Sequence, residues 1–127
     1  MTDAKRSRNQ GELESAILDV LWSAAETGTS PLTSQEVLER VAPDGSLALT
    51  TVLTVLSRLV DKELVVRAPG AGRSLLFSAA TSRAQHDGAL LLKIFEGSDN
   101  PLLAFSHFAK SLTAEQLADL QQSLGRE

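Results

Sequence analysis

Three helical patterns followed by two short β-prone runs predict a mainly α fold with a small β-hairpin. Apolar residues recur every three to four positions from about Glu12 to Ala25, which predicts a half-buried first helix. The β-prone runs at residues 64–68 and 74–78 are separated by Pro-Gly-Ala-Gly-Arg, which predicts a hairpin with a flexible tip. This order of elements is typical of a winged helix-turn-helix domain, whose third helix enters the major groove of DNA beside the hairpin wing.

Capping signals place two helices between the first helix and the hairpin. Thr33-Ser34-Gln35-Glu36 is a capping box, in which the threonine hydroxyl and the glutamate carboxylate each bond a backbone amide at the helix start. It predicts a short helix from Ser34 to about Val41. A third helix is predicted from near Ser46 to Lys62.

Helical patterns resume after the hairpin, from about Thr81 to Glu96. Asn100 as a cap and Pro101 at the first helical position predict a helix that ends at Lys110, and a capping signature at Thr113 opens the last helix. These helices expose much apolar surface for so small a unit, which predicts a dimer interface; the alternative is packing on the chain's own first helix. The residues predicted in that interface are Leu91, Phe95, Leu103, Phe105, Phe108, Leu117, Leu120 and Leu124.

Composition and charge narrow the classes of function. The absence of cysteine excludes disulfides, thiolate metal sites and a cysteine nucleophile. Uninterrupted apolar runs reach only four residues, as at Ala89–Leu92, so we expect a cytoplasmic protein with no membrane partner. Residues 46–80 carry four basic and two acidic residues in a chain of net charge −4, which is compatible with a polyanion partner. We therefore predict a flexible N-terminal tail at 1–10, a winged helix-turn-helix domain at 11–80 and a helical dimerisation region at 81–127.

The third helix has two chemically different faces. At 100° per residue, one side is apolar and carries Leu49, Val52, Leu53, Leu56, Leu59 and Val60. The other side carries Thr50, Thr51, Thr54, Arg58 and Asp61. Threonine is a poor helix former, but in a major groove its hydroxyl can bond phosphate or a base edge. Val55, at the border of the two faces, is expected to touch a thymine methyl, and Arg58 and Lys62 to hold phosphate or guanine; the alternative is a solvated face.

The sequence resembles the BlaI/MecI/CopY family of bacterial repressors over nearly all of residues 11–80. The motifs that carry the resemblance are Gly-Glu-Leu-Glu at 11–14, Leu-Trp at 21–22, Leu-Thr-Thr-Val-Leu-Thr-Val-Leu-Ser-Arg-Leu at 49–59, Lys-Glu-Leu at 62–64 and the run 73–77. The resemblance implies a homodimeric repressor that binds a palindromic operator in double-stranded DNA. It also implies that Thr50, Thr51, Thr54 and Arg58 face DNA and that Arg73 belongs to the wing.

Three departures from the family pattern limit what the resemblance implies. Glu63 stands where the family usually has glycine, which costs about 1 kcal/mol if the position needs a positive φ. Phe77 replaces a tyrosine and loses the hydroxyl. The cysteine cluster of the copper-sensing members is absent, which excludes copper sensing by that cluster.

The signal that releases DNA is left open. In β-lactam-responsive members induction cleaves the repressor before a phenylalanine, so the resemblance implies a sensor protease as a candidate partner and His107-Phe108 as the candidate bond. The alternative is that Phe108 is only a residue of the dimer core. His86 and His107 have no partner at ligand spacing, so no metal and no cofactor are expected.

Two rival binding functions stay under consideration, and a third and less supported alternative is an enzyme. The first rival is a winged-helix regulator of the multiple-antibiotic-resistance type, gated by a small molecule. The second is a winged helix that binds a partner protein instead of DNA. An enzyme has little support, because no nucleophile elbow or glycine-rich phosphate loop occurs and no catalytic residues can be assigned.

Overall fold

A computed structural model of the chain describes residues 10–125, which divide into two compact units between Gln85 and His86. The tail predicted at residues 1–10 lies, apart from Gln10, outside the described residues. The first unit extends past the expected boundary at residue 80 because Thr81 and Arg83 bond to the first helix. Its elements are α1 (Gln10–Thr27), β1 (Leu32–Thr33), α2 (Ser34–Val41), α3 (Leu49–Asp61), β2 (Val65–Pro69) and β3 (Leu75–Ala79), and α4 (Arg83–Gly97) begins in it.

The first unit is held together by one apolar cluster that α1, α2, α3 and the sheet all enter. Ile17 and Leu21 of α1, and Leu56 and Leu59 of α3, are fully buried there. Phe77 is buried as well, so the phenylalanine packs in the core without the hydroxyl of a tyrosine. The winged-helix fold is thereby confirmed.

The sheet has three antiparallel strands in the order β1-β3-β2, where the sequence predicted a two-stranded hairpin. The prediction missed β1, whose two residues pair Leu32 with Phe77 and Thr33 with Leu76. A strand this short has no periodicity of its own and exists only through that distant pairing. Its second residue is also the N-cap of α2, since the Glu36 amide donates to Thr33 Oγ1 (3.1 Å) and the Thr33 amide to Glu36 Oε1 (2.8 Å). The predicted capping box is confirmed.

Both ends of α3 differ from a simple continuation of its apolar pattern. The helix begins at Leu49 rather than near Ser46, because the Ser46 amide donates to Asp44 Oδ1 (3.0 Å) and holds the turn out of the helix. At the other end Glu63 has φ +65°, while its amide bonds the Val60 carbonyl and the Leu64 amide bonds the Leu59 carbonyl. These two bonds form a Schellman motif, so this helix end does require the left-handed conformation that favours glycine.

The second unit consists of the rest of α4, α5 (Pro101–Lys110) and α6 (Ala114–Leu124). Both predicted caps are confirmed: Asn100 Oδ1 accepts from the Leu103 amide, and Thr113 forms a capping box with Gln116. Phe105 packs edge-on against Phe95 with ring centroids 6.3 Å apart. Yet α4, α5 and α6 contain no buried residue within the range that the structure covers. Among residues 10–125, none of the helices is long and apolar enough to cross a membrane.

Candidate nucleic-acid interface

The exposed face of α3 is set by the four residues that anchor its opposite side. Val52, Val55, Leu56 and Leu59 are buried at i, i+3, i+4 and i+7, the spacing of a single helix face. The side chains that remain exposed are Thr50, Thr51, Leu53, Thr54, Ser57 and Asp61. The structure therefore brings the three predicted threonines together on one surface.

The exposure of two positions of α3 differs from what the sequence predicts. Val55 was predicted to touch a thymine methyl, but only 4 % of it is exposed and it packs in the core, so that prediction is wrong. Leu53 was assigned to the apolar face, but 40 % of it is exposed. The physical reason is that the four buried residues of α3 are centred about 50° round the helix from the middle of the apolar face predicted from the sequence.

The Thr54 hydroxyl is already engaged within the helix. Its Oγ1 donates to the carbonyl of Thr50 at 2.9 Å, one turn earlier. This bond occupies the only hydroxyl proton and leaves the oxygen as an acceptor. Thr54 can therefore accept a hydrogen bond from a cytosine or adenine amino group, whereas donation to a phosphate requires the internal bond to break.

A shallow depression runs along the last two turns of this face. Its volume is about 430 Å³, and Leu53, Thr54, Ser57, Arg58 and Asp61 line it. Arg58 is half-buried at its edge, and its guanidinium is the single positive group among these five residues. The depression thus combines an apolar side chain, two hydroxyls and one charge of each sign.

Lys62, predicted to hold phosphate or guanine, is committed to a carboxylate of the same unit. Its Nζ donates to both carboxylate oxygens of Glu14 in α1, at 2.9 and 3.1 Å. Glu14 is only 13 % exposed on its side chain, so the pair is partly shielded from water. Lys62 therefore already has an ion-pair partner, although about half of its side chain stays exposed (51 %).

The wing is a tight turn between β2 and β3 that projects Arg73. The Gly70 amide donates to the Ser74 carbonyl (2.9 Å), and the Ser74 hydroxyl donates to the Ala71 carbonyl (2.6 Å). Gly72 has φ +62°, a conformation that glycine adopts without strain. The side chain of Arg73 is exposed at this turn, where the sequence placed it.

Arg83 is a structural residue that sequence reasoning missed. Its guanidinium donates to Asp19 and Glu26 of α1 and lies over the Trp22 ring, 5.2 Å from the ring centroid. The hydrogen bond to Asp19, then that to Glu26, raises the pKa of Arg83 above its usual value. The Trp22 indole N–H donates to the Thr81 carbonyl at 2.9 Å, so a second bond attaches the segment after β3 to α1. These partners are 57 to 64 residues apart, and no local pattern marks them.

The residues predicted for the dimer interface and for cleavage all lie in the second unit. The peptide bond between His107 and Phe108 lies inside α5, and the His107 carbonyl accepts from the Ser111 hydroxyl (3.1 Å). Over residues 10–125, no cluster of acidic or histidine side chains is arranged to hold a metal ion. The predicted interface residues are exposed except Phe95, which is half-buried, and they are Leu91, Phe95, Leu103, Phe105, Phe108, Leu117, Leu120 and Leu124.

Comparison with known proteins agrees with the resemblance drawn from the motifs. A family model described as penicillinase repressor matches residues 10–126. The transcriptional regulator BlaI of Mycobacterium tuberculosis (strain CDC 1551 / Oshkosh) is 33 % identical over 117 residues, which cover 90 % of this chain and 81 % of the relative. The protein of the same name from strain ATCC 25618 / H37Rv gives the same figures. Both findings confirm the predicted family, and the chain belongs to the penicillinase repressors, a family of winged-helix transcriptional regulators.

Proposed function

We propose that this transcriptional repressor acts as a homodimer on a palindromic operator and reads each half-site with α3 and the β2–β3 wing. The observation that carries the proposal is the exposed face of α3. A purely solvated helix surface is expected to carry long charged side chains, whereas this face carries Thr50, Thr51, Thr54 and Ser57. Short hydroxyl side chains allow the helix backbone to approach base edges closely.

The second unit supports the dimer. About 40 residues with no buried side chain among those described cannot be stabilised by their own hydrophobic core. A second copy of the same face covers the exposed leucines and phenylalanines and gives a two-fold axis. That symmetry matches a palindrome, in which two half-sites lie one helical turn or a multiple apart.

A groove in the second unit favours one other candidate function, gating by a small molecule. Its volume is about 580 Å³ and its lining is almost entirely apolar. Four of its lining residues, Leu91, Phe95, Phe105 and Phe108, are also in the predicted dimer interface. An apolar ligand and the second copy therefore compete for one surface, and ligand binding would act by dissociating the dimer.

Release by a sensor protease belongs to the same proposal, with the bond before Phe108 as its target. Because that bond lies in α5, the helix must open locally before an extended segment can enter a protease. Loss of α6 and part of α5 would then remove four of the eleven large hydrophobic residues that the described part of the second unit exposes, namely Phe108, Leu117, Leu120 and Leu124. Either route of release ends in separated protomers.

The charge distribution implies weak non-specific binding. Seven acidic residues lie between Glu12 and Asp44, and Glu14 also offsets Lys62. Few phosphates are neutralised by the residual basic groups, so affinity for random DNA should lie near the weak end of 10⁻⁴–10⁻⁶ M at physiological salt. Operator binding then depends on base contacts and on two half-sites held together.

The test is a titration of the full-length protein against an operator, its isolated half-site and a random duplex at two salt concentrations. The operator is obtained by in vitro selection from a random duplex library. We expect the full palindrome to bind at least a hundredfold more tightly than the half-site. Equal affinity for the two would contradict the homodimer, and a salt-insensitive interaction would favour a protein partner.

A further inference from the structure

The exposed leucine on α3 has no role in the fold that explains it. Leu53 is the one large hydrophobic residue that α3 exposes. Leu49 and Val60 are half-buried, and the other four apolar residues of the helix are buried in the core. Its exposed fraction is 40 %, similar to that of residues in the uncovered second unit. A single exposed leucine is ordinary on a protein surface. What distinguishes Leu53 is its place at the edge of the hydroxyl-bearing face of α3, beside Ser57 in the depression.

We infer that Leu53 determines operator specificity by packing against the 5-methyl group of a thymine. This inference rests on the proposed function, because it requires α3 to lie in a major groove. Thr50 lies three residues before Leu53 and Ser57 four residues after it, so both are its neighbours on the helix surface. Thr54 lines the same depression. A duplex that approaches those hydroxyls also meets the leucine.

The chemistry of the groove selects thymine for this position. Leucine has no hydrogen-bond donor or acceptor, so placing it against guanine N7 and O6, or against the cytosine amino group, removes water from those groups without replacing the bond. Thymine is the base that presents a methyl group in the major groove. Such a contact was predicted for Val55, but Val55 is buried in the core. Leu53 lines the depression together with Thr54 and Ser57, where a base edge can reach it.

The experiment removes only the methyl group. In the selected operator, each thymine of one half-site is replaced singly by deoxyuridine, which keeps every hydrogen bond and loses the 5-methyl group. We expect one position at which the full-length wild-type protein binds about fourfold more weakly, the factor that corresponds to one buried methyl group. Leu53→Ala should bind the thymine and uracil duplexes equally at that position, and Leu53→Met should keep the preference.

A second arm needs no variant and tests the same contact by adding a methyl group. At the position found above, a cytosine–guanine pair should bind better when the cytosine is 5-methylcytosine, by a similar factor in wild-type protein. Unchanged affinity in this arm, or a uracil penalty that persists in full in Leu53→Ala, would overturn the inference while operator binding itself stands. If no duplex is enriched over random DNA, the proposed function fails and the inference with it.

Discussion

Both units of this chain are rich in leucine, but only the first unit buries its apolar residues. In the first unit the apolar residues of α1, α2, α3 and the sheet bury one another, with Ile17, Leu21 and Leu56 fully inaccessible. In the second unit, α4, α5 and α6 leave every described apolar residue at least partly in water, including Leu102 and Leu124. The first unit therefore contains the information for its own fold, and the second needs surface from elsewhere.

Distant contacts explain the difference. The first unit joins residues far apart in sequence: Leu32 pairs with Phe77, Lys62 with Glu14, and Trp22 with Thr81. In the second unit the described hydrogen bonds are local caps and turns, such as those at Asn100 and Thr113. A helix of 10 or 11 residues is only marginally stable alone, so these helices depend on packing.

The largest expected effect comes from separating the two units. A chain that ends at Gln85 should fold cooperatively as a monomer, because it keeps the core, the Trp22–Thr81 bond and the Arg83 contacts. Its affinity for the full operator should fall by at least a hundredfold, since the two half-sites are no longer bound at high effective concentration. Sedimentation, thermal unfolding and operator titration measure the three outcomes. A fragment that unfolds would show that the first unit is not self-sufficient.

A pair of substitutions sharpens the same comparison. Leu56→Ala should destabilise the full-length protein by about 2–5 kcal/mol, because it opens a cavity at a fully buried site. Phe105→Ala should instead shift the monomer–dimer equilibrium toward the monomer and make the melting temperature depend less on protein concentration, because association stabilises the protein only while the dimer is populated. Thermal scans at two concentrations tenfold apart distinguish the variants. Equal concentration dependence in both would mean that Phe105 lies outside the interface.

The sequence was sufficient where structure is local and insufficient where it depends on distant partners. The capping boxes at Thr33 and Thr113 were predictable because all their atoms lie within four residues. The face of α3 was misjudged at Leu53 and Val55 because most of the helix is apolar, and only the position of the core decides which apolar residues are covered. Arg83 and β1 were missed for the same reason, since their partners lie 43 or more residues away.

Recognition of bases should depend on the first unit alone, and substitution of its α3 threonines should therefore lower the affinity for the operator. Thr51→Ala should weaken operator binding by roughly 1–3 kcal/mol and leave binding to random DNA nearly unchanged, if its hydroxyl contacts a base edge. Thr54→Ala should fall at the lower end of that range, because the Thr54 proton is already bonded to the Thr50 carbonyl. Thr27→Ala, at the far end of α1, is the matched control. Equal losses on operator and random duplexes would contradict base contact.

The end of α3 offers a change that should stabilise the first unit without affecting the dimer. Glu63→Gly should raise the free energy of unfolding by about 1 kcal/mol, because glycine adopts the φ of +65° without strain. Glu63→Ala removes the carboxylate but keeps the backbone strain, so it distinguishes the effect of the lost charge on stability from the effect of the relieved strain. Denaturant unfolding at fixed protein concentration measures both. The interpretation fails if alanine stabilises as much as glycine.

The smallest effect concerns the lysine that Glu14 holds. Glu14→Gln removes the partner of the Lys62 ammonium, which can then neutralise a phosphate. Each additional phosphate contact steepens the dependence of log K on log salt by about 0.9, so a dimer should gain up to about two units of slope and bind random DNA a few-fold more tightly at low salt.

Arg73→Ala should flatten the slope by a similar amount, since an exposed wing arginine loses its phosphate contact. Glu39→Gln changes the net charge equally but releases no lysine, and its slope should stay close to that of the wild type. Sedimentation should show the same dimer in all three variants, because every change lies in the first unit and outside the predicted dimer interface. If Glu14→Gln and Glu39→Gln had equal slopes, Lys62 would not be available to DNA even when its partner is removed.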